Sequence, residues 1–226
     1  MLSISATSSW RETHPGGSIG LLEISGVEYS SPVPFLEQHK REVEGSLRQH
    51  YHCFERQDFL ALPVMAAYDR YYTRFNKTYH VQLQVESIVL KGRDLPAVSP
   101  LVDANFAAEV ETFILTAGHD ADRLQPPVSM DVSREGDLMT LMNGTQKSIY
   151  PGDMVMRDSE EICCSIIYGQ DNRSLITSMT THALYVAYAP AGISTDLVEM
   201  QLHKIEANIR LFSPNARLEQ LTLLKA

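Results

Sequence analysis

The sequence predicts an α+β fold, with helices first and a mostly antiparallel set of strands after them. Between about residues 31 and 113 apolar residues recur at helical spacing, and from about 128 to 190 they fall into short β-type runs separated by turns. Near 196–212 the helical period returns, with Val198, Leu202, Ile205, Ile209 and Phe212 on one stripe. The 226 residues suffice for one large domain or two small lobes sharing a core. With no repeat or low-complexity linker, the chain reads as a single domain over 1–226. Its helical part spans about 31–125, its β-rich part about 126–190 and its C-terminal helix about 195–212.

Residues 1–30 read as two short strands around the turn Pro15-Gly16-Gly17, the second carrying Ile19, Leu21, Leu22, Ile24 and Val27. A helix is expected after Pro32 and Pro34, because proline suits a first turn; Leu36, Val43, Leu47, Tyr51 and Phe54 give its apolar face. Asp58 is expected to cap a second helix bearing Ala61, Met65, Tyr68, Tyr72 and Phe75, with Pro63 kinking or delaying its start. A third runs from Val81 to Lys91 and stops at Gly92, and a fourth lies around Val102 to Phe113. The strands expected next are Val128–Val132, Leu138–Met142, Met154–Met156, Ile162–Tyr168 and Ala183–Tyr188. The tail 213–226, with Leu218, Leu221, Leu223 and Leu224, is left to cover either a partner or the chain's own core.

Lys+Arg 19 against Asp+Glu 28 gives a net charge of −9, which excludes a broad electrostatic footprint on nucleic acid. Contact with RNA is confined to a local basic patch or to terminal nucleotides, and neither DNA nor a membrane is expected as a partner. No apolar run approaches the length of a membrane span, and the first ten residues lack a secretory pattern, so a cytoplasmic protein is expected. Cys53, Cys163 and Cys164 read as buried, reduced thiols.

The densest polar cluster is Gly118-His119-Asp120-Ala121-Asp122. His119 has the residue type of a general base, since an imidazole titrates near neutral pH; the plainer reading has Asp120 capping a turn with His119 packed beside it. His50 and His52 face different ways on a helix, so no metal and no cofactor is expected. Nucleophile-elbow, phosphate-loop and dinucleotide motifs are missing. The stretch from Asp69 to His80 alternates cations (Arg70, Arg74, Lys77) with aromatic rings, a mixture that suits unpaired nucleotides and equally an amphipathic helix.

Three ordered stretches resemble the tRNA-binding and editing domain of the phenylalanyl-tRNA synthetase beta subunit and its free-standing relatives. The first is Tyr68-Asp-Arg-Tyr-Tyr-Thr-Arg-Phe75, similar to a Tyr-Arg-x-x-Tyr-x-x-Phe helix. The second is Leu95 to Asn105 with Val102-Asp103-Ala104-Asn105, followed by Gly118 to Leu124. The third runs from Arg134-Glu-Gly-Asp137 through Asn143-Gly144, Pro151-Gly-Asp153 and Asp158 to Thr180-Thr181. The resemblance implies helices packed on a mostly antiparallel β lobe around one pocket, and hydrolysis of a wrongly attached aminoacyl ester.

This chain departs from the synthetase pattern at several points. Ala117 stands where a catalytic histidine is expected, Val186 where a glutamate reads the wrong amino acid, and Asp137 where a glutamate follows Arg134; the glycine pair survives only as Gly169. Tyrosine editing by the synthetase's own contacts is therefore not carried over. The expectation is an aminoacyl-tRNA deacylase in which His119, Asn105 and Asp120 act on the ester, with His119 taking the water's proton. Asp137, Tyr168, Gly169, Thr180 and Thr181 would hold the substrate, and Arg70, Arg74, Lys77 and Arg93 the terminal phosphates of the tRNA 3′ end. A transferase that passes the aminoacyl group to a small-molecule acceptor, and a non-catalytic RNA or metabolite binder, stand as alternatives.

Overall fold

The expected division into helices and strands is present, with strands framing it at both ends. The computed structural model describes residues 1–29 and 32–226; Ser30, the last residue of the expected N-terminal strand region, lies outside them. The chain opens with β1 (Ile4–Ala6), α1 (Ser8–Thr13) and β2 (Ser18–Ser25). The Thr7 hydroxyl caps α1 by accepting from the Trp10 N–H at 3.1 Å, and Trp10 is fully buried. A six-residue helix thus stands in the region of the first expected strand, ahead of the expected turn at Pro15-Gly16, which is present. So short a segment carries too few turns for its period to be read.

Next come α2 (Pro34–His50), α3 (Arg56–Ala61), α4 (Pro63–Thr73), α5 (His80–Lys91) and α6 (Pro100–Thr112). Proline opens α2, α4 and α6, where its missing N–H costs nothing. The single helix expected after Asp58 is two: Pro63 ends α3 and starts α4. Asp58 is also not the cap, because Glu55 holds that position and the two side chains form a reciprocal capping box. Gly92 stops α5 in the left-handed conformation at φ 64, as its sequence position predicts.

The β-rich part is β3 (Thr116–Asp120), β4 (Val128–Val132), β5 (Leu138–Thr140), β6 (Gln146–Ser148), β7 (Met154–Arg157), β8 (Ile162–Ser165), β9 (Gly169–Gln170) and β10 (Ala183–Ala189), then α7 (Thr195–Arg210) and β11 (Arg217–Lys225). One sheet has the order β11-β2-β10-β3 and is antiparallel throughout; a second is β1-β4-β7-β8-β9, in which β1 and β4 run parallel; β5 and β6 form a small antiparallel pair of their own. The fold is therefore α+β with mostly antiparallel sheets. The tail pairs with β2 as an edge strand, so Leu221, Leu223 and Leu224 pack against the chain's own core while Leu218 is exposed. Every residue of β10 is buried, because β2 and β3 flank it and helices cover it. Among the described residues no helix is long and apolar enough to cross a membrane.

Gly20 on β2 is where α7 closes onto the sheet. A Cβ there would lie 2.6 Å from Val198 Cγ1 and 3.0 Å from Leu202 Cδ1. Gly20→Ala is expected to destabilise the protein by about 1–3 kcal/mol in urea titration. An unchanged midpoint would mean that α7 can lift from the sheet at no cost.

Candidate functional site

The two larger sheets leave a cavity of about 390 Å³ between them, walled by the start of α5, one face of α6, and residues of β3, β8, β9 and β10. Its wall is mostly apolar. Val102, Asn105 and Phe106 face it from α6 at helical spacing, and Leu115, Ala117, Ile166, Leu175 and Ile176 supply much of the remainder. Gly118 keeps the floor open: a Cβ there would stand 2.8 Å from Ile176 Cδ1 and 3.0 Å from the Tyr185 ring. That ring is pinned by its hydroxyl, which donates to the Leu101 carbonyl at 2.9 Å.

The polar groups on this wall are few. Asn105 donates through Nδ2 to the Thr116 carbonyl at 2.8 Å, while its Oδ1 is buried without a partner; the Tyr188 hydroxyl is likewise unpartnered. Orphaned buried polar atoms cost about 1–3 kcal/mol each, and a ligand group that meets them recovers part of that. Cys164 is on the wall too, but burial pushes its thiol up to about 12, which leaves it inert as a nucleophile. Of the three thiols expected to be buried, Cys53 is exposed instead.

His80, the first residue of α5, supplies an imidazole to the wall. The Tyr72 hydroxyl donates to the Ile166 carbonyl at 2.7 Å, so His80 Nδ1, 3.2 Å from the same hydroxyl, must be the donor of that pair. This tautomer leaves the lone pair on Nε2. Solvent reaches one side of the ring, yet the protein packed around the rest lowers its pKa to about 4.

The residues expected to form the site are only partly brought together. Asn105 and Gly169 line the cavity. His119 does not: it is fully buried on β3, its Nδ1 lies 2.7 Å from Ser174 Oγ, and burial lowers its pKa to about 3. Asp120 accepts from Thr180 Oγ1 at 2.8 Å and from the Asp122 N–H at 3.2 Å, which ties both residues into the turn below β3. Thr181 is exposed beside it. Asp137 belongs to a separate ionic cluster with Arg157, which also binds Asp131.

Tyr168 is half-buried outside the cavity, with Lys77 Nζ 5.9 Å and Lys147 Nζ 5.7 Å from its ring centre. Arg93 is exposed after Gly92, and its carbonyl accepts from Arg48 at 3.0 Å. Arg70 and Arg74 line a second hollow of about 250 Å³. Sequence reasoning missed His80, Gln170 and Tyr188 as wall residues. His80 entered the sequence reading only as the last residue of the stretch from Asp69 that alternates cations with aromatic rings.

The structure is similar to the crystal structure of an N-terminal fragment of the phenylalanyl-tRNA synthetase beta-subunit from Pyrococcus horikoshii, with TM-score 0.50 and 7% sequence identity. The likeness covers 100% of this chain and 55% of that one, so the chain spans about half the length of the solved fragment, and at this identity it concerns the fold alone. No curated protein matches the chain in sequence. The B3/4 domain family matches residues 66–211, well over half of the chain, a span that includes every wall of the cavity. The chain belongs to the B3/4 domain family, and its fold is similar to that of the synthetase fragment.

Proposed function

We propose that the protein receives the aminoacylated 3′ end of a tRNA, places the amino-acid side chain in the apolar cavity and hydrolyses the ester. The observation that carries this reading is the cavity itself: about 390 Å³, largely apolar, with a few fixed polar groups, inside a B3/4 domain. Burying an aromatic or branched side chain there is worth about 1.5–3 kcal/mol. The unpartnered Asn105 Oδ1 is an acceptor for the substrate's ammonium.

His80, rather than the enclosed His119, is the imidazole positioned to help water attack. Water adds to the ester carbonyl, its proton passes to Nε2, and the bond from the acyl carbon to the ribose oxygen breaks as that oxygen takes the proton. An aminoacyl ester is already activated, so a weak base suffices. Lys77 beside Tyr168, together with Arg70, Arg74 and Arg93, offers cations to the terminal nucleotides. A second reading, binding without catalysis, is favoured by the low basicity of His80 and by the lack of a carboxylate on the cavity wall among the described residues.

The test is deacylation of a panel of correctly and incorrectly charged tRNAs. Release of one amino acid is expected, and Ala117→Phe, which fills the cavity, should abolish it. His80→Gln should slow it by about 10²-fold or more, and the rate should hold as pH falls until it nears 4, where the ring protonates. Release unchanged in both variants would sink the site assignment. No release from any tRNA, with apolar amino-acid esters still bound in the cavity, would establish the binding reading.

A further inference from the structure

Arg70 on α4 and Arg74, one turn further at its C-cap, open onto the hollow of about 250 Å³, whose rim also includes His14 and the Pro190-Ala191 turn. We propose that this hollow binds a single phosphate group of a phosphorylated ligand. The hollow shares Arg70 and Arg74 with the tRNA contacts offered above, but phosphate binding there does not require ester hydrolysis in the apolar cavity.

In a chain of net charge −9 most guanidiniums are engaged by acids; Arg41 and Arg157, for example, each meet two carboxylates. Among the described residues neither Arg70 nor Arg74 meets one. Arg74 reaches the Gly152 carbonyl at 3.5 Å and lies over the Tyr71 and Phe75 rings, 5.2 and 5.4 Å from their centres. Stacking of this kind fixes the plane of the guanidinium and leaves its N–H edge for a partner. Gly192, at φ 101, makes room for the other: a Cβ there would come within 3.0 Å of Arg70 Nη2.

His14 is the third group and the independent sign of a ligand. It is 6% exposed, it lines the hollow, and its Nε2 is buried without a hydrogen-bond partner. Burial, and then the charge of Arg74, lower its pKa to about 4, so the ring is neutral and in its Nε2–H form donates without adding charge. Two forked guanidiniums and one ring N–H match the oxygens of a phosphate, and among the described residues no acidic side chain lines the hollow to repel it. The concave shape suits one phosphate with its attached atoms. A backbone tracked over many nucleotides would need a wider basic strip than this chain carries.

The phosphate could belong to a small phosphorylated molecule or to an RNA strand. Calorimetric titration of the full chain with inorganic phosphate, 5′-AMP, adenosine and a short single-stranded RNA lacking terminal phosphates, at fixed ionic strength, separates the two. Saturable binding of phosphate and of 5′-AMP but not adenosine is expected at millimolar concentration or below, weakened about tenfold or more in Arg70→Gln and in Arg74→Gln. Both arginines are exposed, so these variants should fold, and a circular-dichroism melt verifies it. Where phosphate and 5′-AMP bind, RNA binding that is lost in the same variants assigns the phosphate to a strand, whereas no RNA binding assigns it to a small molecule; both support the site. No saturable binding of phosphate or 5′-AMP by the native protein, or affinity unchanged in both variants, overturns it. Phosphate binding with no ester release would leave this site standing while the hydrolase reading falls.

Discussion

Replacing Glu109 by glutamine is expected to remove a loss of stability that the native protein suffers between about pH 4.5 and pH 8. Glu109 lies on α6 behind the cavity wall, 2% exposed, and accepts from the Thr116 N–H at 2.6 Å. Burial raises its pKa from 4.5 to about 8, even though the bonds from Thr116 and Asn105 pull the other way. The folded carboxyl therefore keeps a proton that the unfolded chain gives up. Its contribution is fully present below the unfolded value and is lost as pH climbs to the folded one, a change on the order of 4 kcal/mol. Glutamine keeps the acceptor for Thr116 and has no proton to lose. Urea titrations across this range should show the two proteins similar near pH 4.5 and the variant more stable by on the order of 4 kcal/mol near pH 9. Other titrating groups move both curves together, so the difference isolates Glu109. Parallel curves would mean that the carboxyl ionises at its ordinary value.

The same burial explains what the sequence revealed and what it concealed. Elements defined by local chemistry were legible. Proline starts and a glycine stop bounded the central helices, β4 falls on Val128–Val132 as predicted, and α7 follows its apolar stripe. Elements that exist only by long-range pairing were not. The segment carrying Gly118, His119 and Asp120 is polar enough to resemble a catalytic loop, yet it is a strand because its backbone pairs with β10. His119 Nδ1 and the Asp120 carboxylate meet Ser174 and Thr180, residues some sixty positions away that no local pattern links to them. The tail is a strand for the same reason, through its ladder with β2 at the far end of the chain. In the candidate site, Asn105 was visible only through the resemblance carried by Val102-Asp103-Ala104-Asn105. His80 and Tyr188 acquire their place on the cavity wall only through folding.

Asp153→Ala is expected to be the most damaging single substitution outside the apolar core, at about 3–5 kcal/mol. Asp153 is fully buried at the start of β7 and accepts from the Tyr71 hydroxyl at 2.6 Å, from Ser165 Oγ and from the Ile167 N–H at 3.2 Å. Burial outweighs those three donors and raises its pKa to about 6. The residue thus holds together groups that could not be left alone. Without it, two hydroxyls and a backbone N–H lose their acceptor, each at about 1–3 kcal/mol. Tyr71 lines the phosphate hollow and Ser165 lines the apolar cavity, so one carboxyl braces both walls. Tyr71→Phe deletes one donor to Asp153 and also the acceptor for the Met154 N–H at 2.7 Å, so it should cost less than the alanine variant. In a protein already carrying Tyr71→Phe, Asp153→Ala should lose less stability than in the native protein, by about 1 kcal/mol or more, because one stranded donor is already gone. Strict additivity in that cycle would show that Tyr71 and Asp153 contribute separately, and that the two walls are not braced through this carboxyl.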